Sequence, residues 1–225
     1  MLPATLLTAS RRRQFKNDSL GETAYRILKE KIVTLALPPA SILNEAQLMA
    51  ELDLGRTPIR EALQRLAFEK LVVVLPRRGT LVADLNMSDL QKIFEIRLEL
   101  EVYAARLAAA RATSEQIAEM EALFVRTNAL IEQGDHHQLI QLDHQAHRLL
   151  AQAAHNEFLD ETLEWLYTHV MRLWHVSLHK VGRLDEAINE HRDIIAAVKA
   201  GDGDRAAEIM RQHITSFQAR FAAAL

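Results

Sequence analysis

The sequence of 225 residues contains no cysteine, only 7 glycines and 5 prolines, and just 5% aromatic residues. Without cysteine the chain can form no disulfide, which fits a cytoplasmic protein. So few helix-breaking residues in a chain that is 49% hydrophobic favour a mainly helical protein with a sizeable core. No apolar run reaches the roughly 18 residues of a transmembrane helix. The N-terminal basic residues follow a weak apolar stretch, the reverse of a secretory signal. We therefore expect a cytoplasmic protein with no membrane partner.

Charge is unevenly distributed along the chain. The formal net charge of −3 would by itself argue against nucleic-acid binding. However, residues 1–87 contain 13 Lys/Arg against 9 Asp/Glu, whereas the remainder contains 14 against 21. All 10 histidines lie in the acidic part, between His136 and His213. A basic front and an acidic, histidine-rich rear indicate two domains with different partners.

The stretch from Asn44 to Phe68 predicts two short helices separated by a tight turn. Thr57 is the predicted N-cap of the second helix and Pro58 its first residue. One face of this helix has apolar residues at helical spacing, and another carries groups that can pair with guanine or adenine in a DNA major groove: Arg56, Arg60 and Gln64. An ordinary helical hairpin with a solvated face is the alternative interpretation of these residues alone.

Two β-rich runs, 71–75 and 80–83, follow the second helix and flank a turn. They predict a β-hairpin with Arg77, Arg78 and Gly79 at its tip, placed to reach phosphates or a minor groove. A helix-turn-helix followed by a basic hairpin is a winged helix, which favours DNA binding over the plain hairpin. We therefore predict a flexible basic arm over residues 1–18 and a winged helix-turn-helix domain over residues 19–84.

The rest of the chain alternates helical patterns with short breaks. Ser88 and Gln91 have capping spacing, which predicts a linker over residues 85–88 and a second domain over residues 89–225. No β-rich run interrupts this region, so we predict an all-α bundle of six to seven helices. The predicted helices are Asp89–Ala110, Ser114–Gln133 (capped by Thr113), His136–Ala154, Glu157–Lys180, Asp185–Ala200 and Arg205–Ala223.

Four polar residues occupy apolar stripes of these helices. Asp143 and His147 are four residues apart on one helix, and the other two lie on the next-to-last and last helices: His191 and His213. A single histidine on such a stripe is more often a core residue than a ligand. An inward carboxylate with three inward imidazoles is different, because a divalent cation would satisfy all four. The donor set does not choose between zinc, nickel, manganese and iron.

Arg97 lies on or beside the apolar stripe of the first helix of the second domain. Its forked donors match a carboxylate, so it is a candidate clamp for an acidic effector. The alternative is an internal salt bridge to Glu101 or Asp143.

Two resemblances complete the prediction. ILNEAQLMAELDLGRTPIREALQRLAFEKLVVVLPRRGTLV is similar to the DNA-binding domain of the GntR family of bacterial transcription regulators. The resemblance implies that Arg56, Thr57, Arg60, Arg78 and Gly79 contact DNA. This sequence departs from the family pattern at two positions: Gly55 stands where the family commonly has Ser, and Lys70 stands where it commonly has Gly.

The second resemblance covers roughly residues 89–222. LDHQAHRLLAQAAHN, EHRDIIAAVKAGD and MRQHI resemble the FCD effector-binding domain of the FadR branch of that family. This resemblance implies metal binding by Asp143, His147, His191 and His213, with zinc the first choice, and an effector cavity faced by Arg97. It also implies a small-molecule effector, because the branch member that binds long-chain acyl-CoA lacks these ligands.

We thus expect a homodimeric, metal-containing transcription regulator that binds a pseudo-palindromic double-stranded operator and senses a small carboxylic acid, acting as a repressor. A metalloenzyme of the hydrolase or non-haem-iron type is the main alternative, although no general base such as an HExxH glutamate accompanies the ligands. A purely structural metal that closes the bundle is the third interpretation.

Overall fold

The computed structural model describes residues 19–77, 79–125, 127–177 and 184–224. The predicted arm over residues 1–18 and the predicted wing residue Arg78 lie outside these ranges. The chain divides into two compact units, Met1–Asp84 and Leu85–Leu225. The fold is mainly helical with one small sheet, as predicted. No helix in the described ranges has the length and apolar content needed to cross a bilayer.

Within the described ranges, the first unit is a winged fold of three helices and a three-stranded antiparallel sheet. Its elements in chain order are α1 (Leu20–Val33), β1 (Ile42–Leu43), α2 (Glu45–Leu52), α3 (Arg56–Phe68), β2 (Val72–Leu75) and β3 (Gly79–Val82). The strand order is β1-β3-β2. Apolar faces of all three helices meet in one core that includes Leu28, Leu48, Ile59, Leu66 and Val82. This core holds the opposite face of α3 toward solvent.

The start of α3 differs from the prediction. The helix begins at Arg56, and Gly55 is its N-cap with no side chain to accept a hydrogen bond. Thr57 is therefore the second helical residue, not the cap, and Pro58 is the third rather than the first. Pro58 still fits, because the first N–H groups of a helix have no partner within the helix. The predicted cap was wrong because a glycine needs no side chain to adopt the extended backbone of this position.

The end of α3 has Lys70 at the position where the resemblance implies a common glycine. Lys70 has a left-handed backbone with φ of 60°. Its N–H donates to the carbonyl of Ala67 at 3.0 Å, and the N–H of Leu71 donates to that of Leu66 at 2.9 Å. These two bonds form a Schellman motif, whose left-handed residue is normally glycine. Lys70 thus carries backbone strain at the step from α3 into the wing.

The second unit is a bundle of seven helices in the described ranges. They are α4 (Met87–Arg111), α5 (Ser114–Leu123), α6 (Thr127–Gln133), α7 (His136–Ala153), α8 (Glu157–Ser177), α9 (Leu184–Lys199) and α10 (Gly203–Ala224). The long helix α4 packs against α7, α8, α9 and α10. The Thr113–Gln116 capping box is confirmed. Polar residues that face inward from α4, α7, α9 and α10 therefore meet inside one bundle.

Two predicted boundaries in this unit were wrong. Helix α4 begins at Met87, within the predicted linker, because Asn86 rather than Ser88 is its N-cap and accepts from the Ser88 N–H. The predicted helix over residues 114–133 is two helices, since α5 ends at Leu123. Its last turn is held by a distant side chain: Arg192 of α9 donates to the Phe124 carbonyl at 3.3 Å. A contact across 68 residues leaves no local sequence signal.

Candidate metal centre and DNA-reading face

The outward face of α3 carries the predicted DNA-reading side chains. Arg56, Thr57, Arg60 and Gln64 are all exposed. Arg60 forms an ion pair with Glu45 of α2, with 2.9 Å between Arg60 Nε and Glu45 Oε2. Both side chains are substantially solvated, so this pair can exchange for a base or phosphate contact at little cost.

Of the predicted wing residues, Arg77 lies in the turn after β2 and Gly79 begins β3. Leu75 pairs with Gly79 across the hairpin. Arg77 and Gly79 are exposed and have left-handed φ values of 63° and 93°. For Gly79 this conformation costs nothing, because it has no Cβ. The geometry is that of a short, solvent-facing loop with an arginine at its tip.

The structure brings together the four predicted metal ligands. One potential ligand atom from each of Asp143, His147, His191 and His213 lies within 4.8 Å of all the others. All four side chains are buried. Measured from Asp143 Oδ1, the Nε2 atoms of the histidines lie at 3.9 Å (His147), 3.8 Å (His191) and 3.8 Å (His213). Three helices thus aim one carboxylate and three imidazoles at a common point.

The other nitrogen of each imidazole is held by an acceptor. His213 Nδ1 is 2.7 Å from a carboxylate oxygen of Glu190, and His191 Nδ1 is 2.8 Å from the Ala187 carbonyl oxygen. His147 Nδ1 contacts the Glu101 carboxylate. Because these oxygens only accept, they favour the neutral tautomer with its proton on Nδ1, in which the Nε2 lone pairs face the common point.

These facing lone pairs are a test of whether a cation fits. The Nε2 atoms of His147 and His213 are only 3.2 Å apart, close to the roughly 3.3 Å that separates two nitrogens bound tetrahedrally to an ion at about 2.0–2.1 Å. His191 Nε2 is buried and has no hydrogen-bond partner among the described residues. A buried polar atom without a partner is costly. The donor set therefore fits a divalent cation of borderline softness.

The charges around the cluster favour an ionised carboxylate and neutral histidine. Burial opposes ionisation of Asp143, but the three imidazoles outweigh it and hold its pKa well below the ordinary value. The pKa of His191 falls to about 3, mainly through burial and the neighbouring His213. A neutral imidazole beside an anionic oxygen is the state in which these groups bind metal.

Arg97 is buried next to this cluster. It forms a salt bridge to Glu101, which was the predicted alternative to a role as effector clamp. Its Nε and Nη2 atoms both lie 2.6 Å from Glu101 Oε1, and its guanidinium carbon is 4.7 Å from the Tyr167 ring centroid. Glu101, whose other oxygen contacts His147, keeps a pKa of about 2: burial would raise it, but the charge of Arg97 and the contact with His147 prevail. Arg97 is thus linked to a candidate ligand through one carboxylate.

A small cavity of about 10 Å³, roughly the room that one water molecule needs, adjoins the cluster. Its wall is formed by the residues Arg97, Asp143, His147, Tyr167, Trp174, His213, Ile214 and Phe217. Arg97 therefore also lines this space, as the predicted role of an effector clamp requires.

Three further residues support the cluster, and the sequence predicted neither Tyr167 nor Glu190. Tyr167 donates its hydroxyl to Asp143 Oδ2, and burial with the neighbouring carboxylate raises the pKa of Tyr167 well above its ordinary value. Glu190 accepts from His213, and Glu101 was recognised only as a partner of Arg97. Glu101 could have been found from its four-residue spacing to Arg97. Tyr167 and Glu190 depend on the register between helices, which no local pattern records.

A winged-helix unit with an exposed basic reading face, joined to a bundle with a buried cluster and cavity, defines a class: DNA-binding regulators that respond to a ligand. Comparison with known proteins gives the family. The model for bacterial regulatory proteins of the gntR family matches residues 20–82, and the FCD domain model matches residues 92–216. The chain belongs to the GntR family, with an FCD domain as its second domain.

Individual relatives agree with this assignment. The chain is 30% identical over 195 residues to the HTH-type transcriptional repressor RspR of Escherichia coli K12, covering 87% of this chain and 86% of that protein. It is 31% identical over 204 residues to the repressor GlaR of the same organism, covering 84% and 90%. The solved structure of E. coli McbR/YncC superposes with a TM-score of 0.80 at 26% identity, covering 91% and 98%.

These matches confirm the predicted family, fold class and regulatory function. Because the family and the curated relatives are transcription regulators, the metalloenzyme alternative is wrong. As a GntR regulator with an FCD domain, the chain binds operator DNA and a small-molecule effector. The individual DNA contacts, the metal, the acid and the dimer stay predictions.

Proposed function

We propose that the protein is a homodimeric repressor that releases its operator when a small carboxylic acid binds at a divalent metal ion in the FCD bundle. The observation that carries this proposal is the buried cluster of Asp143 with three imidazoles whose lone pairs face one another. Such an arrangement is stable when a cation sits among the lone pairs. The relatives named as repressors support repression, and the proposed location is the cytoplasm, where a bacterial regulator meets its operator.

The proposed ligands of the ion are Asp143, His147, His191 and His213. Zinc is the first choice and nickel, manganese or iron are possible, because imidazole and carboxylate suit all of them. When bound, the ion would supply a Lewis-acidic centre for an anionic oxygen. Glu101, Glu190 and the Ala187 carbonyl keep the imidazole rings oriented toward it.

Operator recognition is proposed to use the exposed face of α3 and the wing. The residues are Arg56, Thr57, Arg60, Gln64, Arg77, Arg78 and Gly79. A two-fold dimer would place two copies of α3 in successive major grooves of a pseudo-palindromic site.

Effector binding changes operator affinity only if the acid binds more tightly to one dimer arrangement than to the other. We propose that the segment Leu85–Met87 and helix α4 couple effector binding to operator affinity. Arg97 of α4 lines the cavity and binds Glu101, which contacts His147. A shift of the cluster would therefore reach α4 directly.

The metal can be tested with the variant His191→Ala/His213→Ala. Because it removes two of the four proposed ligands, elemental analysis of the purified protein should find no bound metal. The matched control His137→Ala/His155→Ala removes two exposed histidines outside the cluster and should keep wild-type metal content. Full occupancy in the first variant would refute the proposed ligand set.

A melting experiment with and without chelator tests the sensor. The proposal expects a rise in melting temperature with a bound acid that disappears on chelation, and release of operator DNA by the same acid. A chelator-induced collapse without any response to acids would instead establish a purely structural metal.

A further inference from the structure

We infer that Tyr167 is a positioning residue that limits Asp143 to one metal-binding oxygen and so keeps one position on the ion open for the effector. The inference rests on the proposed function, in which an ion binds among the four candidate ligands and the acid binds to that ion. It goes further, because it gives a residue outside the ligand set control over the position that the acid needs.

The two carboxylate oxygens of Asp143 have different surroundings. Oδ1 lies 3.8 or 3.9 Å from the Nε2 atoms of the three candidate histidines. Oδ2 instead accepts a hydrogen bond from the Tyr167 hydroxyl of α8. A carboxylate can bind a cation through one oxygen or through both. As long as Oδ2 is held by Tyr167, Asp143 offers the ion Oδ1 alone.

The ring of Tyr167 is held in place by its neighbours. The residue is only 3% exposed. Its ring stacks on that of His144, with centroids 4.4 Å apart and planes 17° apart. The guanidinium carbon of Arg97 lies 4.7 Å from its centroid. Because α4 and α7 both contact the ring in a closely packed bundle, the hydroxyl stays directed at Asp143. A tyrosine hydroxyl has one proton to donate, and here Oδ2 receives it.

The small cavity beside the cluster is the space that this arrangement keeps open. Its lining includes Tyr167 and three of the proposed ligands, namely Asp143, His147 and His213. Its volume of about 10 Å³ is about the room that one water molecule needs. A zinc ion with four protein ligands can accept a fifth. Since the terminal torsion of an aspartate is soft, Oδ2 without Tyr167 would turn to the ion and take this position.

The variant Tyr167→Phe tests the geometry directly, because it removes the hydroxyl and keeps the ring. Crystals of the zinc-loaded full-length protein should show one oxygen of Asp143 bonded to the ion in the wild type and both oxygens bonded in the variant. A variant in which Oδ2 remained turned away from the ion would overturn the inference.

Cobalt and fluoride test the open position in solution. The visible spectrum of bound cobalt(II) responds to its ligands, and fluoride is an anion of about the size of water. Fluoride should change the spectrum of the cobalt-loaded wild type. In Tyr167→Phe its Kd should be at least tenfold higher, within the range of about 10–100-fold that partners of metal ligands contribute. Elemental analysis should find full cobalt occupancy in both proteins. An unchanged Kd, or loss of cobalt from the variant, would refute the proposed role.

The matched control is Thr168→Val, which removes a hydroxyl from the next residue of the same helix. Thr168 is buried and donates to the Glu164 carbonyl at 2.9 Å, and it does not line the cavity. This control should keep the wild-type spectrum and the wild-type Kd for fluoride. If it weakened fluoride binding as much as Tyr167→Phe, the cause would be a loosened α8 and the inference would fail.

The outcomes separate the inference from the function on which it rests. If wild type and Tyr167→Phe bind cobalt and fluoride equally well, the inference is wrong and the metal-dependent sensor stands. If the wild type binds no cobalt, the inference and the proposed metal site fail together. If it binds cobalt but never responds to fluoride, the ion has no open position, and both the inference and the proposed binding of the acid to the ion fail.

Discussion

Two arginine–glutamate pairs show how differently the two units are built. Arg60 and Glu45 in the first unit are 2.9 Å apart, with 57% and 35% of their side chains exposed. Arg97 and Glu101 in the second are 2.6 Å apart, with 4% of each exposed. Water screens the first pair and is excluded from the second. The DNA-reading unit therefore carries its recognition groups outside its core, whereas the effector unit has them as part of its core.

The largest expected effect follows from removing the buried arginine. Arg97→Ala should lower the free energy of unfolding by about 3–5 kcal/mol, because it strips Glu101 of its main cationic partner inside the bundle. Urea denaturation followed by circular dichroism measures this. Arg97→Ala/Glu101→Ala should cost less than the sum of the two single changes. Additive costs would show that Arg97 and Glu101 are not coupled, and the buried pair would then not differ from the exposed pair of Arg60 and Glu45.

Arg60→Ala should affect DNA binding rather than stability. We expect a loss of about 1–3 kcal/mol of operator affinity, with a change in stability within the 0–1 kcal/mol typical of exposed pairs. Mobility shifts on an operator selected from random-sequence DNA measure the first, and melting measures the second. Arg106→Ala removes a comparably exposed pair in the second unit, with Asp204, and should leave DNA affinity unchanged. Unchanged affinity in Arg60→Ala would refute the assignment of α3 as the reading helix.

The same contrast explains what the sequence could predict. Polar residues on an apolar stripe are conspicuous, so Asp143, His147, His191 and His213 were predictable from helical spacing alone. The residues that orient them were not, because Tyr167 lies 24 positions from the carboxylate that it serves. The winged helix was predictable from local turn and strand signals.

Errors arose where local signals compete or are absent. Asn86 and Ser88 are both good caps, and the structure uses the earlier one. Strand β1 has two residues and therefore no alternation that could reveal it. Arg192 donates to the Phe124 carbonyl at the break after Leu123, and its position depends on packing between helices. Long-range contacts of this kind are outside the reach of periodicity.

A smaller effect should appear at the C-terminal ends of two helices, one in each unit. Lys70 after α3 and Gly201 after α9 both have left-handed φ, 60° and 72°. Lys70→Gly should stabilise the protein by about 1 kcal/mol, and Gly201→Ala should destabilise it by a similar amount. A Cβ at Gly201 would approach only the Ala109 carbonyl, at 3.9 Å, so backbone strain is the cause. Urea denaturation measures both. Changes of the same sign would contradict the shared Schellman geometry.

The smallest predicted effect concerns the glycine cap of the reading helix. Gly55 has the extended backbone that serine adopts as an N-cap, and a Cβ there would meet its nearest atom, in Pro58, at 3.9 Å. Gly55→Ser should therefore stabilise the first unit, but only by a few tenths of a kcal/mol. The gain is limited because Pro58 has no N–H, which leaves the Thr57 N–H as the donor for the new hydroxyl. Gly55→Ala, which adds the Cβ without the hydroxyl, should destabilise instead, and thermal melting of the three proteins side by side gives the order. If alanine stabilised as much as serine, the gain would come from a stiffer unfolded chain and not from capping. Metal content should be the same in all three, since Gly55 is an exposed helix end and none of the proposed ligands.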